Sequence, residues 1–249
     1  LNLDPVTGAG TITPVQVNNN STDACGIASL SLSQTNFSCA NLGANTVTLT
    51  VVDVNGNSST CTSTITVIDN TAPSFNTTPS SISQNSVLGN CGRVITYAAP
   101  TFFDACSSTM AQTDGSGLTS GDFFPVGVTN QTYTITDPSG NTTSYTFTVT
   151  IVDNQLPVIT NCPANMTLAA SPTSCNALAN WIAPSGSDNC PGVVVSSTHA
   201  PGSSFPVGTT TVTYTATDAS NNQATCSFTV TVLDNTGPFV ASLPTVTGQ

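Results

Sequence analysis

The chain has no lysine and no glutamate, a single arginine (Arg93) and a single histidine (His199), and its net charge is -11. Without basic residues it cannot displace the counterions of a phosphate backbone, so no nucleic acid is expected as a partner. For the same reason it offers no patch to an anionic membrane surface. No apolar run approaches the ~18 residues of a spanning helix, so no membrane insertion is expected in this segment. No signal peptide is visible. One histidine and no Glu or Lys leave no conventional acid–base pair, and a serine nucleophile would lack its base. The chain is therefore not expected to be an enzyme. His199 reads as a loop residue and Arg93 as a solvated or locally paired charge. Helical periodicity is scarce, which excludes long helices. There is no CxxC pair to suggest zinc.

What is present repeats. The segment 205–235, FPVGTTTVTYTATDASNNQATCSFTVTVLDN, has two earlier counterparts at 124–154 and 39–70. In each, apolar and Thr residues alternate toward an Asp, a short Asn/Gly-rich turn follows, and a second alternating run ends in Asp-Asn. Period-two alternation on both sides of such a turn predicts a β-hairpin. The Asp-Asn pairs begin at Asp69, Asp153 and Asp234, spacings of 84 and 81 residues. The sequence divides into 1–69 (a first repeat without its opening strand), 70–153, 154–234, and 235–249 as the opening strand of a further repeat. The predicted class is all-β: three tandem sandwich repeats forming an elongated rod, with Pro-containing linkers that stiffen it. The whole reads as a window of a longer array. Strands are expected at, among others, 11–17, 91–99 and 177–183, the last carrying Trp181 as core packing.

All twelve acids are aspartate. Nine occupy three positions per repeat: Asp23, Asp104 and Asp188; Asp53, Asp137 and Asp218; Asp69, Asp153 and Asp234. They are positional, not merely solubilising.

Nine cysteines in a Thr/Ser/Asn-rich β protein indicate an oxidising, extracellular setting. Where the third repeat has Cys162 and Cys226, the second has Thr78 and Tyr145, so both members are lost together. That pattern suggests Cys162–Cys226. Cys175 and Cys190 match Cys91 and Cys106, which suggests Cys175–Cys190 and Cys91–Cys106. The last requires the segment to double back, because a disulfide needs Cα atoms about 4.4–6.8 Å apart. In the first repeat Cys25–Cys39 is expected, with Cys61 unpaired or bonded to another chain.

The motifs CPANMTL (162–168), SDNC (187–190) and FPVGTTTVTYTATDASNNQATCSFTVTV (205–232) resemble the hyalin repeat, or HYR domain. The second repeat, with FPVG and TDPSGN, is similar to it too. The first resembles a related repeat of giant surface proteins of gliding bacteria. The resemblance implies immunoglobulin-like β-sandwiches and a role in extracellular adhesion at a cell surface. The second repeat departs from it by lacking one cysteine pair, and the first by lacking the opening Cys-Pro.

In a sandwich of that kind the entering linker and two loops share one end. This would gather Asp69, Asp104, Asp137 and Asn141 at one junction, and Asp153, Asp188, Asp218 and Asn222 at the next. Such oxygen sets suit calcium. The competing reading is that Asp and Asn are good turn formers. The expected role is a structural segment of a fibre or adhesin stalk. Its expected partners are further copies of the array or neighbouring chains, assembling into a filament. The alternative is a module that binds a surface glycan or protein through loops such as 111–122 or 198–204.

Overall fold

The computed structural model describes residues 1–238 and Ala241. Its regular elements are strands apart from two short helical turns, Pro14–Val17 and Cys39–Asn41. The chain forms two compact units.

The first unit comprises 1–82, 94–122 and 128–150. Its first repeat is built on the hairpin Gly43–Asp53 and Ser58–Val67, with Ile27–Leu32 on the free side of Gly43–Asp53. Alternation points Val47, Leu49 and Val67 inward, at 0, 1 and 2% exposure. They are the residues that the period-two pattern assigns to one face. Leu3, Ile12 and Phe37 pack with Val47 and Val67, and Cys106 of the second repeat joins the same cluster. Residues 14–17 of the expected strand 11–17 are instead one helical turn. Pro14 opens it, Thr13 caps it, and the Gln16 side chain accepts from the Thr13 N–H at 2.7 Å. Proline at the first helical position, where its missing N–H costs nothing, explains the change.

Second-repeat strands of this unit follow the same plan. Ser74–Thr77 pairs with Thr101–Phe103, and Thr109–Gln112 with Gly127–Thr136, which in turn neighbours Thr142–Val152. Where the other repeats bury Val47 and Val212, this one buries Gln131 at 0% exposure. Its Oε1 accepts from Tyr97 Oη at 2.7 Å and from Gln112 Nε2 at 3.0 Å, while its Nε2 donates to Ser116 Oγ at 3.1 Å. A buried amide is tolerated because each end has a partner. Tyr145, standing where a cysteine is found in the third repeat, donates from Oη to the Pro79 carbonyl at 2.8 Å and packs on Phe75. On the outer face, hydroxyls pair across strands, as in Thr132–Thr146 and Thr134–Ser144, both 2.8 Å.

The second unit comprises 83–93, 123–127 and 151 onward. Its hairpin, Gly208–Thr217 and Gln223–Leu233, is in continuous antiparallel register from Gly208↔Val232 to Thr217↔Gln223. Val194–Ser197 extends it on one side. Met166–Ala169 joins the other side in parallel, Met166 opposite Val230. The second layer is made of short pairs: Val158–Thr160 with Ser185–Ser187, and Asn176–Leu178 with Ser204–Pro206. Phe205, Val212, Tyr214, Phe228, Val230 and Val232 form the core. Trp181 packs edge-on against Phe228 and donates to Tyr214 Oη at 2.6 Å. Two expected strands are shorter than the sequence suggests: 91–99 reduces to Gly92–Val94 and 177–183 to Asn176–Leu178. Residues 235–238 form no strand, and 239, 240 and 242–249, which complete the expected opening strand, lie outside the described residues.

Candidate metal centres and the junction disulfides

Each hairpin turn is closed by its own Asp and Asn. At 137–141 the Asn141 N–H and Nδ2 donate to Asp137 Oδ1 and Oδ2, both at 2.8 Å. At 218–222 Asn222 does the same to Asp218, again at 2.8 Å. At 53–57 the matching distances are 2.8 and 2.7 Å. The hairpin aspartates are thus turn formers, as carboxylates at this position often are. Asn141 and Asn222 present donors rather than ligand oxygens to this arrangement. Their Nδ2 groups also reach back to the Asp69 and Asp153 carbonyls, each at 3.1 Å, so they tie the turn to the entering linker.

The linker aspartates differ. Asp69 and Asp153 are 5% and 3% exposed. Asp69 Oδ2, Asp104 Oδ2 and Asp153 Oδ2 are enclosed and accept no hydrogen bond. A buried oxygen without a partner costs about 1–3 kcal/mol, more when it is charged. In the first unit Asp69, Asp104 and Asp137 each bring one carboxylate oxygen within 4.8 Å of the others. Burial pushes the Asp104 carboxyl up, and the Asp69 and Asp137 charges add to this against hydrogen bonds from the Ala105 and Cys106 N–H groups. The chain has one Arg and no Lys to offset such a cluster. An all-oxygen donor set of this density, with orphaned oxygens, fits a hard cation.

In the second unit the corresponding group is Asp153, Asp188 and Cys190. Asp218, the counterpart of Asp137, is not part of it. The Cys190 sulfur is committed to a disulfide and is no ligand. Ser86 Oγ and Asn189 Nδ2 donate to Asp153 Oδ1 at 3.5 and 3.4 Å, so this group is the more internally satisfied of the two.

The disulfides are Cys39–Cys106, Cys91–Cys190 and Cys162–Cys226, with Cα separations of 5.2, 4.8 and 6.2 Å. The expected pairings Cys25–Cys39, Cys91–Cys106 and Cys175–Cys190 do not form. Cys25, Cys61 and Cys175 are free and exposed. Between Cys25 and Cys39 the strand Ile27–Leu32 carries the chain away by roughly 20 Å at ~3.3 Å per residue. Cys175 and Cys190 flank strands that pair elsewhere, Asn176–Leu178 with Ser204–Pro206 and Ser185–Ser187 with Val158–Thr160. Comparing repeats reveals which cysteines recur together. It cannot distinguish a bond within a repeat from one to the next, since both recur with the same period. Two of the three bonds are of the second kind. The first is fitted closely: Gly8, at φ +63°, leaves room for Cys39 Sγ, which would lie 2.7 Å from a Cβ there.

These features define a class: tandem β-sandwich modules whose consecutive members are joined by disulfides. The HYR domain model matches residues 68–151 and again 152–232. The chain belongs to the HYR domain family. It is 37% identical over 210 residues to hyalin of Lytechinus variegatus, covering 82% of this chain and 39% of that protein. To hyalin of Strongylocentrotus purpuratus it is 38% identical over 229 residues, 88% of this chain and 19% of that one. The chain thus spans well under half the length of these relatives. Mouse cadherin-23 EC22-24 superposes with a TM-score of 0.34 at 16% identity, covering 80% of this chain and 78% of that one, too distant to bear on function.

Proposed function

We propose that the chain is a structural segment of an extracellular fibre or adhesin stalk at a cell surface, in which each repeat is fixed to the next by a disulfide and by calcium. The observation that carries this reading is that Cys39–Cys106 and Cys91–Cys190 each run from one repeat to the following one. A module that merely needed a stable sandwich would gain as much from a bond within it. A bond across a junction restrains the angle between neighbours. Family membership and the use of disulfides support the extracellular setting.

Asp69, Asp104 and Asp137 would hold the cation at the first junction, and Asp153 with Asp188 at the second. Calcium there would neutralise buried carboxylates that have no cationic side chain to pair with. The test is thermal unfolding and solution scattering of the segment in millimolar Ca²⁺ and then in chelator. A higher Tm and longer maximum dimension with Ca²⁺ are expected. Identical values in both conditions would remove calcium from the mechanism and leave the disulfides alone to fix the junctions.

A further inference from the structure

The chain has no close-spaced cysteine pair, yet the second unit brings two cysteines and two carboxylates to one place. Cys91 and Cys190 are 99 residues apart in sequence and 4.8 Å apart at Cα. One carboxylate oxygen from each of Asp153 and Asp188 lies within 4.8 Å of the other and of the Cys190 sulfur. Cys91 is bonded to that sulfur, so its own sulfur is a neighbour of the same oxygens. The group at the first junction differs: Asp69, Asp104 and Asp137 have no sulfur among them.

Proximity of two carboxylates and a sulfur is not by itself a site. What marks this one is Asp153, 3% exposed, whose Oδ2 is enclosed and accepts no hydrogen bond. Its other oxygen is held in place. Oδ1 accepts from the Gln155 N–H at 3.1 Å, and from Ser86 Oγ and Asn189 Nδ2. Asp188 Oδ2 accepts from the Cys190 N–H at 3.1 Å, and Asn189 Nδ2 also donates to the Cys190 sulfur at 3.4 Å. Outer donors that fix the direction of a ligand are what a metal site needs around it. An open depression lined by Leu88, Gly89, Gln155 and Leu156 reaches Asp188 and Asn189, which gives an ion a way in from solvent.

We propose that this group is a redox-switched metal site: reduction of Cys91–Cys190 releases two thiols beside Asp153 and Asp188, and the four side chains then bind one Zn²⁺. This rests on the Cys91–Cys190 staple of the proposed stalk, and not on calcium. Two molecules of a low-molecular-weight thiol reduce the bond and leave as one disulfide, and each protein sulfur gains a proton. When zinc binds, both protons pass to solvent, because the thiolate is the ligand. Oxidised, the group offers oxygen alone, which suits a hard cation such as Ca²⁺. Reduced, it offers two soft sulfurs and two oxygens around one point. That set suits tetrahedral Zn²⁺, with bonds of about 2.3 Å to sulfur and about 2.0–2.2 Å to oxygen. Donors already within 4.8 Å of one another need only small side-chain movements to close on it. The ion then ties the second repeat to the third when the disulfide between them is open.

The test uses the 249-residue chain with the exposed Cys25, Cys61 and Cys175 changed to Ser. It is reduced with a phosphine and titrated with Co²⁺, a spectroscopic stand-in for Zn²⁺. One equivalent should produce the sulfur-to-cobalt charge-transfer band and the visible bands of tetrahedral cobalt, and Zn²⁺ should bleach them. The oxidised protein should show neither. Cys91→Ser and Cys190→Ser should each remove the tetrahedral bands, and Asp153→Asn should weaken binding by about 10–100-fold or more. Cys39→Ser and Cys162→Ser should change nothing. No bands in the reduced protein, or bands that survive Cys91→Ser and Cys190→Ser, would overturn the proposal. If reduction unfolds the chain, Zn²⁺ should restore its β-sheet circular dichroism, and failure to do so overturns the proposal equally. A peptide map of the oxidised protein separates the two readings. With Cys91–Cys190 present and no cobalt bands, the zinc site alone fails. With that bond absent, the stapling reading fails with it.

Discussion

Replacing Asp104 by Asn separates the two roles that its carboxylate could have. Asn keeps an oxygen for the Ala105 and Cys106 N–H groups but removes one of three clustered charges. In chelator the wild-type cluster carries two enclosed oxygens without partners, Asp69 Oδ2 and Asp104 Oδ2. At about 1–3 kcal/mol each, they cost the folded state on the order of 2–6 kcal/mol. Asp104→Asn relieves part of that penalty, so in chelator the variant should melt at or above wild type. In Ca²⁺ the order should reverse. A cation at a hundred times its Kd stabilises the wild type by about 2.7 kcal/mol. At about 2–4 °C per kcal/mol for a protein of this size, that is a rise of roughly 5–11 °C. The variant, with one ligand gone, should lose most of this shift. Differential scanning calorimetry of both proteins in both conditions checks it. An Asp104→Asn effect of the same sign and size with and without Ca²⁺ would refute the reasoning, because a carboxylate that only closes a turn does not respond to the ion.

Other expectations follow from particular contacts. Burial raises the Asp114 carboxyl, but hydrogen bonds from Ser116, the Thr132 N–H and Gln112 outweigh it and hold it at about 2. Being depressed below the unfolded value, it contributes stability that is complete above pH 4 and is lost as pH falls toward 2. Discounted for its partial exposure, Asp114→Asn should cost about 1–2 kcal/mol at pH 7 and flatten urea-melt stability between pH 4 and 2. Gln131→Val should destabilise by about 1–3 kcal/mol in urea unfolding, even though valine fills that position in the other repeats, because Tyr97 and Gln112 lose their acceptor. Gly8→Ala should cost about 1–3 kcal/mol in the same assay, since it forces a side chain into φ +63° against Cys39 Sγ. Cys106→Ser, which opens a loop with sequence separation 67, should lower stability by roughly 4 kcal/mol on the chain-entropy estimate. Reducing the wild type should lower it further.

The hairpins were legible because Val47, Val212 and their neighbours alternate with Thr at period two, a pattern that needs no tertiary knowledge. The Cys162–Cys226 bond was legible because its two members disappear together in the second repeat. Cys39–Cys106 and Cys91–Cys190 were not. A bond that links neighbours recurs with the same period as one inside a repeat, and only three-dimensional placement separates them. The linker and Asp-x-Cys aspartates were singled out by position. What the sequence could not reveal was that Asp137 and Asp218 spend their oxygens on their own turns while Asp69, Asp104 and Asp153 keep one free. Nor did any local signal mark Gln131 as buried, since a glutamine in an alternating strand reads as outward-facing until its hydrogen-bond partners are seen.

The parallel pairing of Met166–Ala169 with the last strand of its repeat sets how a pulling force would travel. The strand by which the chain enters and the strand by which it leaves run side by side in the same direction. Without a crosslink, tension along the chain would load their hydrogen bonds in shear, all at once, rather than unzipping them one by one. Cys162 and Cys226 stand just ahead of that pair and are bonded, so the load crosses from one to the other through sulfur. The residues enclosed between them, which make up most of the sandwich, are left outside the line of force.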